Sequence, residues 1–447
     1  MKNSLRKHIK EILTLAIPVS IGQLGHIMMG MVDTLMVGPL GADTLAAASL
    51  ANGLFFLIMV LGIGLSYAVT SLAAIYFGKK QYSKCGIVLQ NALVVNLFFS
   101  FIFTLIIYFG ADLTFHLGQP SQVALLSNSY LKILSFTVFP FMLFQTFRQY
   151  SEGLSIVKIP MIIAILANLV NAFMNWVLIY GKLGFPAMKL DGAGYATLAN
   201  RIFMGISLML IVLYSNKYKK YNNFSIKYFN VKILMKIIRI GFPSGFQYLF
   251  EVAAFSFSAI MVGWINSVSL AAHQIALSLA SITYMIILGI SSAGNIKVAN
   301  AFGEKDYQKV KESGFTAILL GIFVMMIFGL FFFLFNNFLP TLFISNPEVI
   351  TIASELILIA AFFQLFDGAQ AVASGVLRGI LDVKTPMYVI LFSYWLLGIP
   401  AGYIFAFKFG MGASGVWLGF LIALGAVATT YILRFRFKTS NLIRNLD

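Results

Sequence analysis

The sequence predicts an all-α integral membrane protein with twelve transmembrane helices in two pseudo-symmetric six-helix bundles around a central cleft. Three observations carry this. The 447 residues are 60% hydrophobic but only 10% charged, against about 25% charged in soluble domains. Twelve apolar stretches each reach the roughly 20 residues a spanning helix needs. The two halves also repeat one another when slid by about 225 residues.

The spans are expected at 12–38, 46–76, 86–110, 124–150, 160–181 and 192–215 in the first half. In the second they are expected at 232–263, 270–300, 314–338, 350–378, 386–408 and 412–436. Several exceed one bilayer thickness, so tilt, kinks or extension into water are expected. Pro18, Pro140 and Pro243 lie inside spans and are candidate kinks. The N-terminal stretch MKNSLRKHIKEIL leads straight into the first span with no small-residue cleavage site, so that helix is expected to be retained.

The longest polar stretch, NKYKKYNNFSIKYFNVK, follows the sixth span. It divides the chain into an N-lobe at 1–215, a cytoplasmic linker at 216–231 and a C-lobe at 232–447. The lobes align without a gap over the first two spans of each. Pro18 meets Pro243, Met36-Val37-Gly38 meets Met261-Val262-Gly263, and Phe77-Gly78 meets Phe302-Gly303. Chance similarity of apolar helices explains shared Leu and Ala, but not ungapped Pro, MVG and FG matches. An even number of spans per half makes the repeat parallel, with its axis along the membrane normal.

Charge sets the expected orientation. With the N-terminus in the cytoplasm, nearly all of the 31 Lys and Arg fall on that side, including Lys2, Lys80, Arg148, Lys227 and Arg434. Only Lys182, Lys189 and Lys408 fall outside, while Lys132 and Arg201 lie within or near spans. This positive-inside bias places both termini in the cytoplasm of a multi-pass protein of the cell inner (plasma) membrane. The net charge of +16 then needs no nucleic-acid partner. Cys85 is the single cysteine, which excludes an intrachain disulfide and a thiolate cluster. No Walker A, HExxH or GxSxG constellation is present, so an enzyme is not expected.

Function is sought in charge within the spans. Asp33 in the first span, Glu251 in the seventh and Asp367 in the tenth are the deep carboxylates. Facing lipid singly, the three would cost roughly 8–10 kcal/mol. Each is either a structural residue bonded to a neighbouring helix or part of a wet cleft. Gln23, His26, Gly30 and Asp33 share one helix face, as do Gln247, Glu251 and Ser258. His26 and Glu251 are repeat mates, so the halves keep a polar stripe but place charge differently. His26 alone equally fits a packing histidine.

In the fifth span Asn171 and Asn175 lie one turn apart, as interhelical glue or as ligands whose carbonyls suit Na⁺. The eighth span carries His273, Gln274 and Tyr284, whose ring can hold a cation. A buried carboxylate exchanges a proton or Na⁺ for an organic cation because both compete for one negative charge. Glu251 and Asp367 are the candidate Na⁺ ligands. Gln247, Gln274, Tyr284, His26, Asn171 and Asn175 are the candidate substrate contacts. No cofactor is expected beyond Na⁺ or H⁺ as coupling ion. The partners are small organic cations and the bilayer, and the chain is expected to be a monomer.

These residues resemble a known family. MVDTLMVG after Pro18, the second-half GFP…E…MVG…LAAHQIA, and GVLRGILDVKTP at 375–386 are similar to the MATE (multidrug and toxic compound extrusion) transporters, in their NorM-type branch. The resemblance covers nearly the whole chain. It implies export of cationic, often aromatic drugs in exchange for Na⁺ or H⁺, by alternating access of two lobes. It implies that Glu251 and Asp367 are C-lobe cation-site acids, Asp33 the N-lobe acid with Asn171 and Asn175 beside it, and Tyr284 an aromatic contact. Phe363 stands where some relatives have Tyr, which leaves the ion open between Na⁺ and H⁺. A flippase for lipid-linked sugars, which needs basic residues in its cleft, and a non-transporting membrane scaffold are the alternatives.

Overall fold

The computed structural model describes residues 2–221 and 229–445, with side chains from residue 6 onward. The Lys2 side chain and the middle of the expected linker, with Lys227, lie outside the described residues. Among the described residues the chain is helical throughout. Eleven helices are long and apolar enough to cross a membrane, and one bent pair makes a twelfth span. This is the predicted all-α membrane architecture.

The first half begins with α1 (Lys2–Val37), α2 (Ala42–Gly78) and α3 (Tyr82–Gly110). The fourth span is α4 (Ser121–Phe136) followed by α5 (Val138–Gly153), bent by 42°. Pro140 explains the break, because its ring excludes the carbonyl of Phe136 four residues earlier and it lacks an N–H. α6 (Lys158–Tyr180) and α7 (Lys189–Tyr214) complete the half. The second half runs α8 (Val231–Gly263), α9 (Ser267–Glu304), α10 (Tyr307–Phe335) and α11 (Pro347–Gly379). Its eleventh span alternates α12 (Lys384–Ile390), a π-helical stretch (Leu391–Gly398), α13 (Ile399–Tyr403) and a second π stretch (Ile404–Lys408). α14 (Gly412–Arg444) is the twelfth.

The chain forms two compact units, residues 21–245 and residues 1–20 with 246–447. The unit boundaries fall inside α1 and α8, two residues after Pro18 and two after Pro243. Each half therefore lends the opening segment of its first helix to the other half's unit. In the 21–245 unit a Cβ on Gly64 of α2 would lie 2.2 Å from the Gly245 Cα. In the other unit a Cβ on Gly289 of α9 would lie 2.7 Å from the Ala16 carbonyl oxygen. Gly64 and Gly289 are repeat mates, as are Ser20 and Gly245, so the two exchanges are equivalent and the sequence repeat is a structural one.

Within the 21–245 unit, α2 packs on α3, α4 and α5, and α7 on α5 and α6. Ala47, Ala51, Phe55, Met59 and Met142 lie in its apolar core. Asn96 Nδ2 donates to Thr146 Oγ1 at 2.7 Å, which links α3 to α5. In the other unit α11 is central, flanked by α9, α10 and α14. Gly375 lets α11 approach α9 closely, since a Cβ there would lie 2.4 Å from the Ser291 carbonyl oxygen. Nearby, Ser291 Oγ donates to the Ala371 carbonyl at 2.6 Å.

Candidate functional site

Three clusters of buried polar side chains stand out, two of them in the 21–245 unit. In the unit holding α9, α11 and α14, Glu251 sits on the post-Pro243 segment of α8 and Asp367 on α11. Both are buried, at 6% and 7% exposure, so neither faces outward. They lie within Coulombic reach of one another. Gln370, one turn after Asp367, donates its amide to Glu251 Oε1 at 2.7 Å. Tyr394 in turn donates its hydroxyl to Gln370 Oε1 at 3.2 Å. Tyr394 is fully buried and close enough to both carboxylates to feel their charge. Among the described residues, no Lys, Arg or His forms an ion pair with Glu251 or Asp367. The cluster thus holds two buried acids, of which Glu251 accepts from a neutral amide.

Around it, Gln247 donates to Ser374 Oγ at 2.8 Å and Gln364 to Thr283 Oγ1 at 2.7 Å, joining α8 and α9 to α11. The buried Gln364 Oε1 has no hydrogen-bond partner. Phe363 stacks on Trp417 with ring centroids 5.3 Å apart, and Trp417 Nε1 donates to His273 Nδ1 at 3.0 Å. A Phe at 363 therefore fills an aromatic slot and offers no oxygen. Ser258 turns back to the Phe255 carbonyl of its own helix. Gln274 is exposed and Tyr284 half-buried.

In the 21–245 unit, Asp33 on α1 accepts a hydrogen bond from Asn175 Nδ2 of α6 at 2.6 Å. Asn175 also donates weakly to Asn171 Oδ1 at 3.3 Å. Both asparagines are fully buried, and Asn175 Oδ1 has no partner. The one-turn spacing of Asn171 and Asn175 does place them on the face toward Asp33. Asn168 bonds back to its own helix at Ala164. His26 belongs to a different cluster. Its Nε2 lies 3.1 Å from Arg148 Nη1, and Arg148 Nε donates to Glu152 Oε1 at 2.8 Å. Arg148 and Glu152 are both buried, although Arg148 reads from sequence as a loop cation.

Sequence reasoning missed Gln370 and Tyr394. Gln370 had a usable signal, since it lies three residues from Asp367 on one helical face. Tyr394 had none, because the π-helical stretch changes which residues share a face.

Comparison with known proteins agrees with this architecture. The MatE family model matches residues 18–177 and 243–404, one segment in each half. The chain is 33% identical to a "Probable multidrug resistance protein NorM" of Mesorhizobium japonicum, over 97% of this chain and 95% of that one. It is 30% identical to the "Multidrug resistance protein NorM" of Photobacterium profundum, over 97% and 96% of the two chains. Among solved structures it is similar to an outward-facing multidrug resistance MATE family transporter of the MOP superfamily. That match has a TM-score of 0.89 at 22% identity and covers 97% of this chain and 96% of that one. A twice-matched family model, near-full-length relatives and a shared fold agree that the chain belongs to the MATE family, in its NorM-type branch.

Proposed function

We propose that the protein is a cation-coupled multidrug efflux antiporter that exports organic cations by alternating access of its two halves. The observation carrying this is the Glu251–Asp367 pair, two carboxyl groups buried in membrane spans with no ion-pair partner among the described residues. Such a pair is costly unless a cation or proton shares it. An inorganic and an organic cation then compete for the same charge, and each weakens the other's binding by the same factor. Inward passage of one monovalent cation down 100 mV supplies about 2.3 kcal/mol for the exchange.

The coupling ion in this reading is Na⁺ or H⁺, held by Glu251 and Asp367, and Asp33 with Asn171 and Asn175 is the third acid of the scheme. The relatives' names, multidrug resistance proteins, support drug export as the physiological direction. The protein acts as a transporter rather than an enzyme, in the cell inner membrane with both termini cytoplasmic. The flippase alternative needs basic groups open to an anionic head group. The deep arginines among the described residues are instead engaged, Arg148 with Glu152, Arg201 between two phenylalanines and Arg378 over the Tyr248 ring.

The test is ethidium efflux from vesicles under an imposed Na⁺ or H⁺ gradient, one at a time. Glu251→Gln and Asp367→Asn are expected to abolish gradient-driven efflux while the protein still reaches the membrane. Asp33→Asn should impair export unevenly across substrates. Wild-type efflux by either of the first two variants removes the site assignment.

A further inference from the structure

We propose that the π-helical stretch Leu391–Gly398 is the positioning element of the cation site, with Tyr394 and Trp395 as positioning residues that fix Glu251 from two sides. This rests on the reading of Glu251 and Asp367 as the cation-binding pair and adds what holds the first of them in register.

Tyr394 acts through a side chain. A carboxylate at Glu251 can only accept, so the Gln370 atom 2.7 Å from Oε1 is the amide nitrogen. The Gln370 oxygen then points the other way, where it meets the Tyr394 hydroxyl at 3.2 Å. An amide oxygen also only accepts, so the hydroxyl is the donor. Tyr394 thereby fixes which way round Gln370 stands. With the amide turned over, its oxygen would oppose the carboxylate. The tyrosine ring is itself held by Phe255 and Phe420, each with its centroid 5.9 Å away. One oxygen of Glu251 is thus committed. The other, with no donor on it among the described residues, is left for a cation.

Trp395 acts through the backbone. Its Nε1 donates at 3.1 Å to the Phe250 carbonyl, which belongs to the peptide joining Phe250 to Glu251. Adjacent residues of one span therefore hold the side chain and the main chain of a single acid. Consecutive side chains of an α-helix diverge by about 100°. A turn closed by i→i+5 bonds is wider and brings neighbours closer in direction. The π geometry lets both residues reach the same segment of α8.

The first half has no such device. With Pro160 set against Pro386, the mate of Tyr394 is Asn168, which lies in α6, an uninterrupted α-helix. Asn168 bonds back to Ala164 of its own helix, and the mate of Glu251 is His26. Among the described residues, π-helical turns occur only in the eleventh span, in the half that carries the acid pair.

The experiment measures ethidium binding and thermal unfolding of the full-length protein in lipid nanodiscs. Tyr394→Phe removes the hydroxyl and keeps the ring. It is expected to weaken ethidium binding roughly two- to tenfold, the worth of one hydrogen bond, while the unfolding temperature falls by no more than about 2 °C. Gln370→Leu should weaken binding at least as much, and adding Tyr394→Phe to it should change nothing further, because the hydroxyl acts through that amide. Trp395→Phe, a second variant that keeps its packing, should also weaken binding, and its loss should multiply with that of Tyr394→Phe. Unchanged binding in Tyr394→Phe and Trp395→Phe overturns the proposal. So do losses of Tyr394→Phe and Gln370→Leu that multiply, or a loss that comes with a much larger fall in unfolding temperature. Glu251→Gln separates the two readings. If it binds ethidium as wild type does, the site assignment fails and takes the proposal with it. If it loses binding while Tyr394→Phe and Trp395→Phe keep theirs, the proposal alone fails.

Discussion

Arg148 and Glu152 are four residues apart on α5, both nearly inaccessible, with His26 of α1 on the far side of the guanidinium. Desolvating two charges costs several kcal/mol each, which close pairing offsets only while both are present. Glu152→Gln leaves a buried guanidinium short of its anion and is expected to destabilise the protein by about 3–5 kcal/mol. Replacing both, as Arg148→Met with Glu152→Leu, should recover most of the loss. Thermal unfolding in detergent checks this, and a double variant as unstable as the single one would show that the pair has a role beyond mutual neutralisation. The contrast with Glu251 and Asp367 is informative. All four are buried ionisable groups, but one set is an ion pair and suits architecture, while the other has no ion-pair partner among the described residues and suits the proposed transport. A carboxyl amid apolar residues is conspicuous in a sequence, so Glu251, Asp367 and Asp33 were legible. Whether a base stands opposite is a tertiary fact, which is why Arg148 read as a loop residue.

The helices show the same division. Their number, and the exceptional length of α1, α2 and α9, follow from runs of apolar residues far longer than a bilayer requires. The bend between α4 and α5 was signalled by Pro140. The π-helical stretches of the eleventh span had no sequence signal, because a widened turn arises from packing rather than from residue type. Close approach of helices was visible only in part, since a glycine shows where a side chain is absent but not what takes its place. Gly64 is the clearest instance. Its missing Cβ accommodates backbone of α8 at Gly245, with the Gly245 nitrogen only 2.5 Å from where that Cβ would stand. Backbone has no rotamer to shift, so Gly64→Ala must push the α8 segment away, at a cost of about 1–3 kcal/mol. The unfolding temperature should fall in Gly64→Ala and fall further in Gly64→Leu. No change in either would mean that the α2–α8 contact is loose.

At the scale of the whole molecule, the repeat orders the list of spans into two equivalent halves. Equal shares of the chain, each lending the first segment of its opening helix to the other's unit, give two bodies joined through α1 and α8. Pro18 and Pro243 lie beside the two unit boundaries. A proline inside a helix removes one backbone hydrogen bond, so these are the places where either helix bends at least cost. What decides the direction of transport is orientation, and this rests on charge. Lys79, Lys80, Lys84 and Lys217 sit at one set of helix ends, whereas Lys182 and Lys408 sit at the other. Because basic residues in short loops are retained on the cytoplasmic side, a strong imbalance fixes the topology of the chain. A green fluorescent protein fused after residue 447 is therefore expected to fluoresce. Alkaline phosphatase at the same place should be inactive, yet active when inserted at Lys182. Active phosphatase at the C-terminus would invert the molecule in the membrane and, with it, the direction of the exchange proposed for the Glu251–Asp367 pair.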